Sequence, residues 1–540
     1  MQIPPREKSV PKSVEPNAVK ERSSIGKMAV SLSVITVFAK IFGFTEKLIV
    51  AHFFGTDVQA DVYFASMAIV LSLVFLVKEL IYPSVLPVFA GALKTSFSAS
   101  AALFKRVFIW LITILLLFAL IMILFSDNIT AVLVPGFSEE KLHLTSSLLR
   151  YLVPGGVFLC MATLTYAALN CRRNFLKAAI PEALLKLIIA VGLILLVPTL
   201  GIYALAVVVT IGSAMVFIIQ FLFIPEGRVI LSKNLYKPNS EFKNTLVLMG
   251  PLILGVVFSH ISGLVDNVLA STLPTGHLSF LGYSKKLIDA ILLVGPVALV
   301  TVVYAHLSHL NAEGKHEEFK ALFIKVLRLI IFISIPSAFV LVILRVPIVT
   351  VLFERGKFTA QSTSGTAQAL LIYGIGIVTF AVEALVVYGF YALSNTKIPV
   401  RAGIFGVLLD VILAVSFVKP FGFAAIAWAY VFSKTVKVVI LLLLMDRKIR
   451  FLYRGWFISY ILKVTASCLI SALCMYLLKD IMTGDTFLQM FIFNLVIPLA
   501  GFAITFLLCC HLLRLKELNY LFLILMRRKS LKLQLVGSRS

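Results

Sequence analysis

Four lysines, Lys40, Lys47, Lys285 and Lys286, and two aspartates, Asp266 and Asp410, stand in stretches built otherwise of aliphatic and aromatic residues. A charge at mid-bilayer costs about 2.5–3.5 kcal/mol on insertion scales, so such residues face a cavity or a partner. An ammonium there is a point charge that binds phosphate, without the bidentate fork of arginine. A buried carboxylate binds a hard cation through its oxygens or takes up a proton. The chemistry on offer is ion binding in apolar surroundings. Bond-making chemistry is not indicated. In the longest non-cytoplasmic loops the only paired carboxylates are Glu139 and Glu140, which read as a solvated turn, and no Walker sequence is present. His260, His306 and His309, and cysteines 160, 171, 468, 474, 509 and 510, show no metal-ligand spacing. Arg150 and Glu182 fall near span ends; Glu383, Lys434 and Lys437 fall within spans.

These residues must be positioned by membrane helices. Of the 540 residues, 60% are hydrophobic and only 14% charged, against about a quarter in soluble domains. The apolar residues come in blocks of about 20, the length a helix needs to cross hydrocarbon. Alternating ten-residue strands are absent, which excludes an outer-membrane barrel. Polar breaks divide the chain into about fourteen spans: 28–51, 61–90, 107–125, 149–170, 178–198, 201–224, 244–271, 281–306, 321–344, 366–393, 399–418, 422–445, 457–478 and 487–512. Residues 1–27 form a basic tail with no cleavable signal peptide. Residues 513–540 form a second basic tail, which suits an anionic membrane surface.

The net charge of +24 is dispersed among the spans, so it speaks for topology rather than nucleic acid. With the N-terminus inside, the cytoplasmic segments hold, among others, Lys94, Arg172, Arg173, Lys233, Lys237, Lys397, Arg401 and Arg454. The opposite loops hold Lys141, Arg345, Arg355, Lys357, Lys419 and Lys479. This asymmetry places both ends in the cytoplasm. The segment 346–360, VPIVTVLFERGKFTA, reads as an amphipathic stretch along the outer interface.

The sequence also resembles itself at a shift of about 220 residues. Residues 197–206 read VPTLGIYALA and 418–427 read VKPFGFAAIA, with the glycine and two alanines in register. Ala168-Leu169-Asn170 and Ala392-Leu393-Ser394 each precede a basic turn, and Ala51 to Tyr63 and Ala270 to Tyr283 both cross a glycine-containing turn. The repeat implies an all-α membrane protein of two pseudo-symmetric lobes, 28–224 and 244–445, with 457–512 adding two spans. Transporters built on such repeats bind substrate between lobes and alternate access.

KIFGFTEKLIVAHFFGTDVQADVYFAS (40–66), GLVDNVLASTLPTGHLSFLGYSKKLID (263–289) and VLFERGKFTAQSTSGTAQALLIYGIGI (351–377) resemble the MurJ/MviN lipid II flippases, a family of the multidrug/oligosaccharidyl-lipid/polysaccharide exporter superfamily. The resemblance implies a monomeric transporter, not an enzyme, in the bacterial inner membrane. Its substrate would be an undecaprenyl-diphosphate-linked glycan, most directly lipid II for peptidoglycan synthesis. An exopolysaccharide or O-antigen unit, or a drug exported with a cation, are the alternatives. The family's cavity arginines correspond to Lys40 and Lys286. In the following motif the arginine and acid positions are Glu46 and Lys47, and a basic pair becomes Val74 and Phe75. Asp61 and Glu79 match acidic positions. The resemblance therefore implies Lys40, Lys47, Lys285, Lys286, Asp61 and Glu79 as substrate contacts. It further implies Asp266 and Asp410 as a site for a coupling Na+ or H+, with no other cofactor.

Overall fold

In lipid every backbone N–H and C=O must be satisfied within the chain, which leaves helices as the economical solution for apolar blocks. The computed structural model follows that rule. It describes residues 15–229, 240–452, 456–479, 489, 491–515 and 517–518. The rest of the two predicted tails lies outside the described residues, as do Lys233, Lys237 and Arg454. The helices are α1 (Glu15–Phe54), α2 (Val58–Thr95), α3 (Phe97–Leu124), α4 (Ser126–Leu133), α5 (Glu139–Cys171), α6 (Phe175–Leu200), α7 (Tyr203–Leu222) and α8 (Ser240–Ser271). There follow α9 (His277–Val294), α10 (Pro296–Ala312), α11 (His316–Ile343), α12 (Arg345–Phe353), α13 (Ala360–Ala392), α14 (Lys397–Phe421), α15 (Phe423–Ile449), α16 (Trp456–Lys479) and α17 (Ile497–Leu512), the last led by a π-turn, Ile492–Val496.

Eleven helices are long and apolar enough to cross a membrane, and a bent pair brings the number to twelve among the described residues. The other two expected spans, 28–51 and 244–271, fall on α1 and α8, helices of 40 and 32 residues. The expected span 281–306 is two helices, α9 and α10, inclined at 42°. The break falls at Gly295–Pro296, because proline lacks the N–H that would continue the ladder. The stretch 126–147 was expected as loop but contains α4, and α5 already begins at Glu139. The amphipathic stretch 346–360 folds in part as α12, whose Pro347, Val349, Val351 and Phe353 are buried.

The repeat recurs in the backbone. Left-handed residues occur at Gly55 and Gly276, at Arg173 and Ser394, and at Gly201 and Gly422, each pair 221 residues apart. After Arg173 and Ser394 the closing bonds match as well: Asn174 N–H donates to Leu169 O at 3.0 Å, and Asn395 N–H to Phe390 O at 2.9 Å. Gly201 (φ 56°, ψ −136°) and Gly422 (φ 57°, ψ −140°) adopt nearly the same conformation, one open only to glycine. Short connections between antiparallel helices need such a residue to end one helix and turn into the next.

The described residues pack as two compact units. The first is drawn from Met1–Glu46, Val77–Leu120 and Tyr151–Met249, the second from Lys47–Leu76, Ile121–Arg150 and Gly250–Ser540. In the first, Phe108, Phe217 and Phe221 pack ring on ring, and buried Gln220 accepts from Thr165 and donates to Ala178 O. Glu226, fully buried, accepts from Ser100 at 3.0 Å and pairs with Arg172, so one of the predicted cytoplasmic arginines is also a structural tie. In the second, Phe323, Leu327 and Ile330 of α11 share a core with Phe390 of α13, Met445 of α15, Cys468 of α16 and Phe506 of α17.

Gly422 has nothing within 4 Å of an added Cβ, so Gly422→Ala isolates backbone strain. The variant loses about 1–2 kcal/mol. Gly91→Ala, also in open space but inside α2, gains about 0.5–1 kcal/mol. Unfolding of the detergent-solubilised proteins measures both; equal stability of Gly422→Ala and the unaltered chain would refute the left-handed turn.

Candidate functional site

The second unit holds two polar constellations. The first is centred on Asp61 in the opening turn of α2, a side chain 1% exposed. Its Oδ2 accepts from Lys141 Nζ at 3.0 Å and from Gly276 N–H at 2.8 Å. Its Oδ1 accepts from Ser279 N–H at 3.1 Å and Ser279 Oγ at 2.6 Å. The two N–H groups belong to the N-terminus of α9, where unpaired donors and the helix dipole favour an anion. Asp61 thus caps a helix of the second repeat from a helix of the first.

The surrounding backbone is fitted closely. Tyr283 OH donates to Gly55 O at 2.9 Å, Lys357 N–H to His52 O at 2.9 Å, and Gly136 N–H to Ser271 Oγ at 3.2 Å. Thr56 Oγ1 and Ser362 Oγ are 2.7 Å apart. A Cβ on Gly55 would lie 2.3 Å from Lys357 O, and one on Gly356 2.3 Å from His52 O. The glycines are what permit this approach. Nearby, Arg150 donates to Ser126 Oγ at 2.6 Å and pairs with Asp127 at 2.5 Å. Hydrogen bonds from Ser146 and Arg150, with the arginine charge, hold the Asp127 carboxyl below the usual carboxylate range.

The second constellation gathers charges from five helices. Ser262 of α8 donates to Asp410 Oδ2 of α14, while Asp410 Oδ1 is buried without a hydrogen-bond partner among the described residues. Asp266 of α8 is within electrostatic reach of Asp410 and of Lys285 on α9. Lys285 Nζ lies 4.2 Å from the centre of the Tyr430 ring on α15, a cation–π distance. Glu383 of α13 accepts from Lys434 at 3.0 Å and Lys437 at 2.6 Å. Glu383 thus carries two ammonium groups on one carboxylate oxygen.

The sequence-predicted residues separate accordingly. Lys285, Asp266 and Asp410 come together, and Lys285 stands in the interior of α9. Lys286 is half-exposed and pairs with Asp289 at 3.5 Å. Lys47 donates to Tyr63 OH, with its ammonium 4.8 Å over that ring. Lys40 is half-buried on α1 and Glu79 is exposed on α2, both in the first unit. Asp61 has both carboxylate oxygens engaged by the chain and ties this junction together. Lys141, expected in a polar loop, is 6% exposed and is its counter-ion. Tyr430, Ser262 and Tyr373 were missed, because aromatic and hydroxyl residues in apolar runs look like ordinary packing.

A helical membrane protein built on an internal repeat, with charged clusters inside apolar helices, is a polytopic transporter. The family model described as lipid II flippase MurJ matches residues 50–497, and the chain belongs to that family, one of transporters and not of enzymes. It is 27% identical over 512 residues to the probable lipid II flippase MurJ of Buchnera aphidicola subsp. Acyrthosiphon pisum, covering 92% of this chain and 99% of that one. It is 27% identical over 432 residues to the Vibrio cholerae protein of that name, covering 77% and 82%. A solved lipid II flippase MurJ in an inward closed conformation shares the fold (TM-score 0.78, 23% identity, 92% and 100% covered). An inward-facing MATE multidrug transporter shares it more distantly (TM-score 0.65, 13% identity, 76% and 94% covered).

Asp61→Asn leaves the Lys141 ammonium buried without its counter-ion, and breaking such a pair costs about 3–5 kcal/mol. The variant unfolds at lower denaturant, and adding Lys141→Met recovers much of the loss. Additive effects of the two substitutions would show that the residues do not form a pair.

Proposed function

We propose that this chain carries lipid II, an undecaprenyl-diphosphate-linked glycan, from the inner to the outer leaflet of the bacterial inner membrane for peptidoglycan synthesis. The family match over residues 50–497 carries the reading. The lysine-rich distribution of the predicted cytoplasmic loops supports an arrangement with both termini inside. The transporter works as a monomer.

The substrate's prenyl tail stays in lipid while its diphosphate crosses. Lys40, Lys47 and Lys286 supply the ammonium groups that offset its desolvation. Point charges suit a diphosphate that must be gripped and then released. Two negative charges leaving an inside-negative cell gain about 4–5 kcal/mol per 100 mV, which favours outward movement without ATP. Access alternates by parting the junction around Asp61. Its bonds are short, few and polar, so the junction has two defined states, made and broken.

The chain is expected to restore growth to bacteria depleted of their lipid II flippase. Lys40→Ala, at unchanged protein level, cuts flipping by at least about tenfold, a loss of about 1.4 kcal/mol. Failure of the well-expressed chain to complement would direct attention to another lipid-linked glycan; full activity of Lys40→Ala would remove that lysine from the substrate path.

A further inference from the structure

Apart from the two constellations, the second unit holds a polar cavity of about 320 Å³ between α12 and the start of α13. Its polar lining is Arg345, Thr350, Glu354, Thr363, Ser364 and Gln368. By the topology inferred from the basic loops, it lies at the outer face. Its volume is at the small end of the range for ligand sites.

Arg345 begins α12, and Glu354 follows its last residue. A cation at a helix N-terminus and an anion at its C-terminus both oppose the helix dipole, so neither charge serves the helix. Nor do they answer each other, for no ion pair joins them among the described residues. There the Arg345 guanidinium makes one hydrogen bond, from Nη1 to Val342 O at 2.7 Å, which leaves most of its five-donor fork unused. Glu354 Oε2 accepts from Thr350 Oγ1 at 2.9 Å and from Thr363 Oγ1 at 2.6 Å. Two hydroxyls, one from each helix, thus fix the carboxylate and leave Oε1 for a ligand.

The two charges are opposite in sign and held apart, and that decides the ligand. An anion alone would pair with Arg345 but leave Glu354 desolvated, and a cation alone would do the reverse. A neutral polyol would compensate neither. A molecule with a carboxylate at one end and an ammonium at the other satisfies both through charge-assisted bonds. The length follows from the helix. The nine residues of α12, at about 1.5 Å each, set the two backbones about 13 Å apart. Side-chain reach shortens that gap to what about three extended residues span, at about 3.3 Å each.

We propose that this cavity binds a short zwitterionic peptide, its carboxylate on Arg345 and its ammonium on Glu354. The Gln368 amide meets a peptide group between them. The site adjoins the junction around Asp61. The same segment carries Lys357, whose N–H donates to His52 O at 2.9 Å, and Ser362, whose Oγ is 2.7 Å from Thr56 Oγ1. A peptide spanning α12 and α13 therefore braces the elements that make the junction. The inference goes beyond the proposed cargo and does not depend on it.

The test uses the full chain in lipid nanodiscs at about pH 7, where the amine and carboxylate of a peptide are both charged. Trialanine is titrated by calorimetry and in thermal melts, against N-acetyl-trialanine and trialanine amide, which each lack one charge. Trialanine binds saturably and raises the melting temperature. Each blocked peptide binds at least about tenfold more weakly, as does trialanine to Arg345→Gln. Should Arg345→Gln not accumulate, the blocked peptides test the same contacts on the unaltered chain. The proposal is overturned by an absence of saturable trialanine binding, by equal binding of either blocked peptide, or by undiminished binding to Arg345→Gln. No lipid II enters these titrations, so their outcome is separate from whether the chain complements a flippase-depleted strain.

Discussion

A carboxylate 1% exposed inside a membrane protein must be answered by donors, and the answer given to Asp61 organises the second unit. Its four bonds draw on α2, α5 and the start of α9, elements from both repeats. With Lys141 as counter-ion and the α9 N-terminus as cap, the charge is compensated twice. The glycine turns at Gly55, Gly276 and Gly356 follow from this closeness. Each allows one backbone to approach another where a side chain would collide.

Such a junction suits a protein that must open. Apolar packing is spread over many atoms and yields gradually, whereas a few directional bonds are either made or broken. The other constellation of the second unit is the cluster around Tyr430, in which Glu383 pairs with both Lys434 and Lys437. The two constellations meet the same cost of buried charge in different ways: one with helix ends and a single ion pair, the other with one carboxylate shared by two lysines.

Much of the helical architecture was legible because lipid enforces it: a block of about 20 apolar residues has few alternatives to a helix. The repeat was legible from VPTLGIYALA and VKPFGFAAIA because both contain the glycine that the turn requires. Less was legible where context decides. Lys141 follows two glutamates in what reads as a polar loop, yet the early start of α5 carries it into the interior. The 126–147 stretch hid α4 because eight residues give too short a period to read. Asp61 matched an acidic position of the family, but sequence shows such an acid without its partners, here Lys141 and the start of α9. Lys285 and Lys286 are adjacent, and only the helix tells them apart: one turns inward to Tyr430 and the acids, the other toward Asp289. Tyr430 carried no signal, since an aromatic ring becomes a cation platform only when a lysine is folded over it.

The central claim is that the junction around Asp61 must part for cargo to cross. Thr56 and Ser362 bridge it with side-chain oxygens 2.7 Å apart, and the six native cysteines form no disulfide. The most direct measurement places cysteines at 56 and 362 in a chain whose native cysteines are replaced by serine, and follows lipid II flipping before and after oxidation. Flipping is predicted to stop when the disulfide forms and to return when it is reduced. Undiminished flipping by fully cross-linked protein would contradict the account.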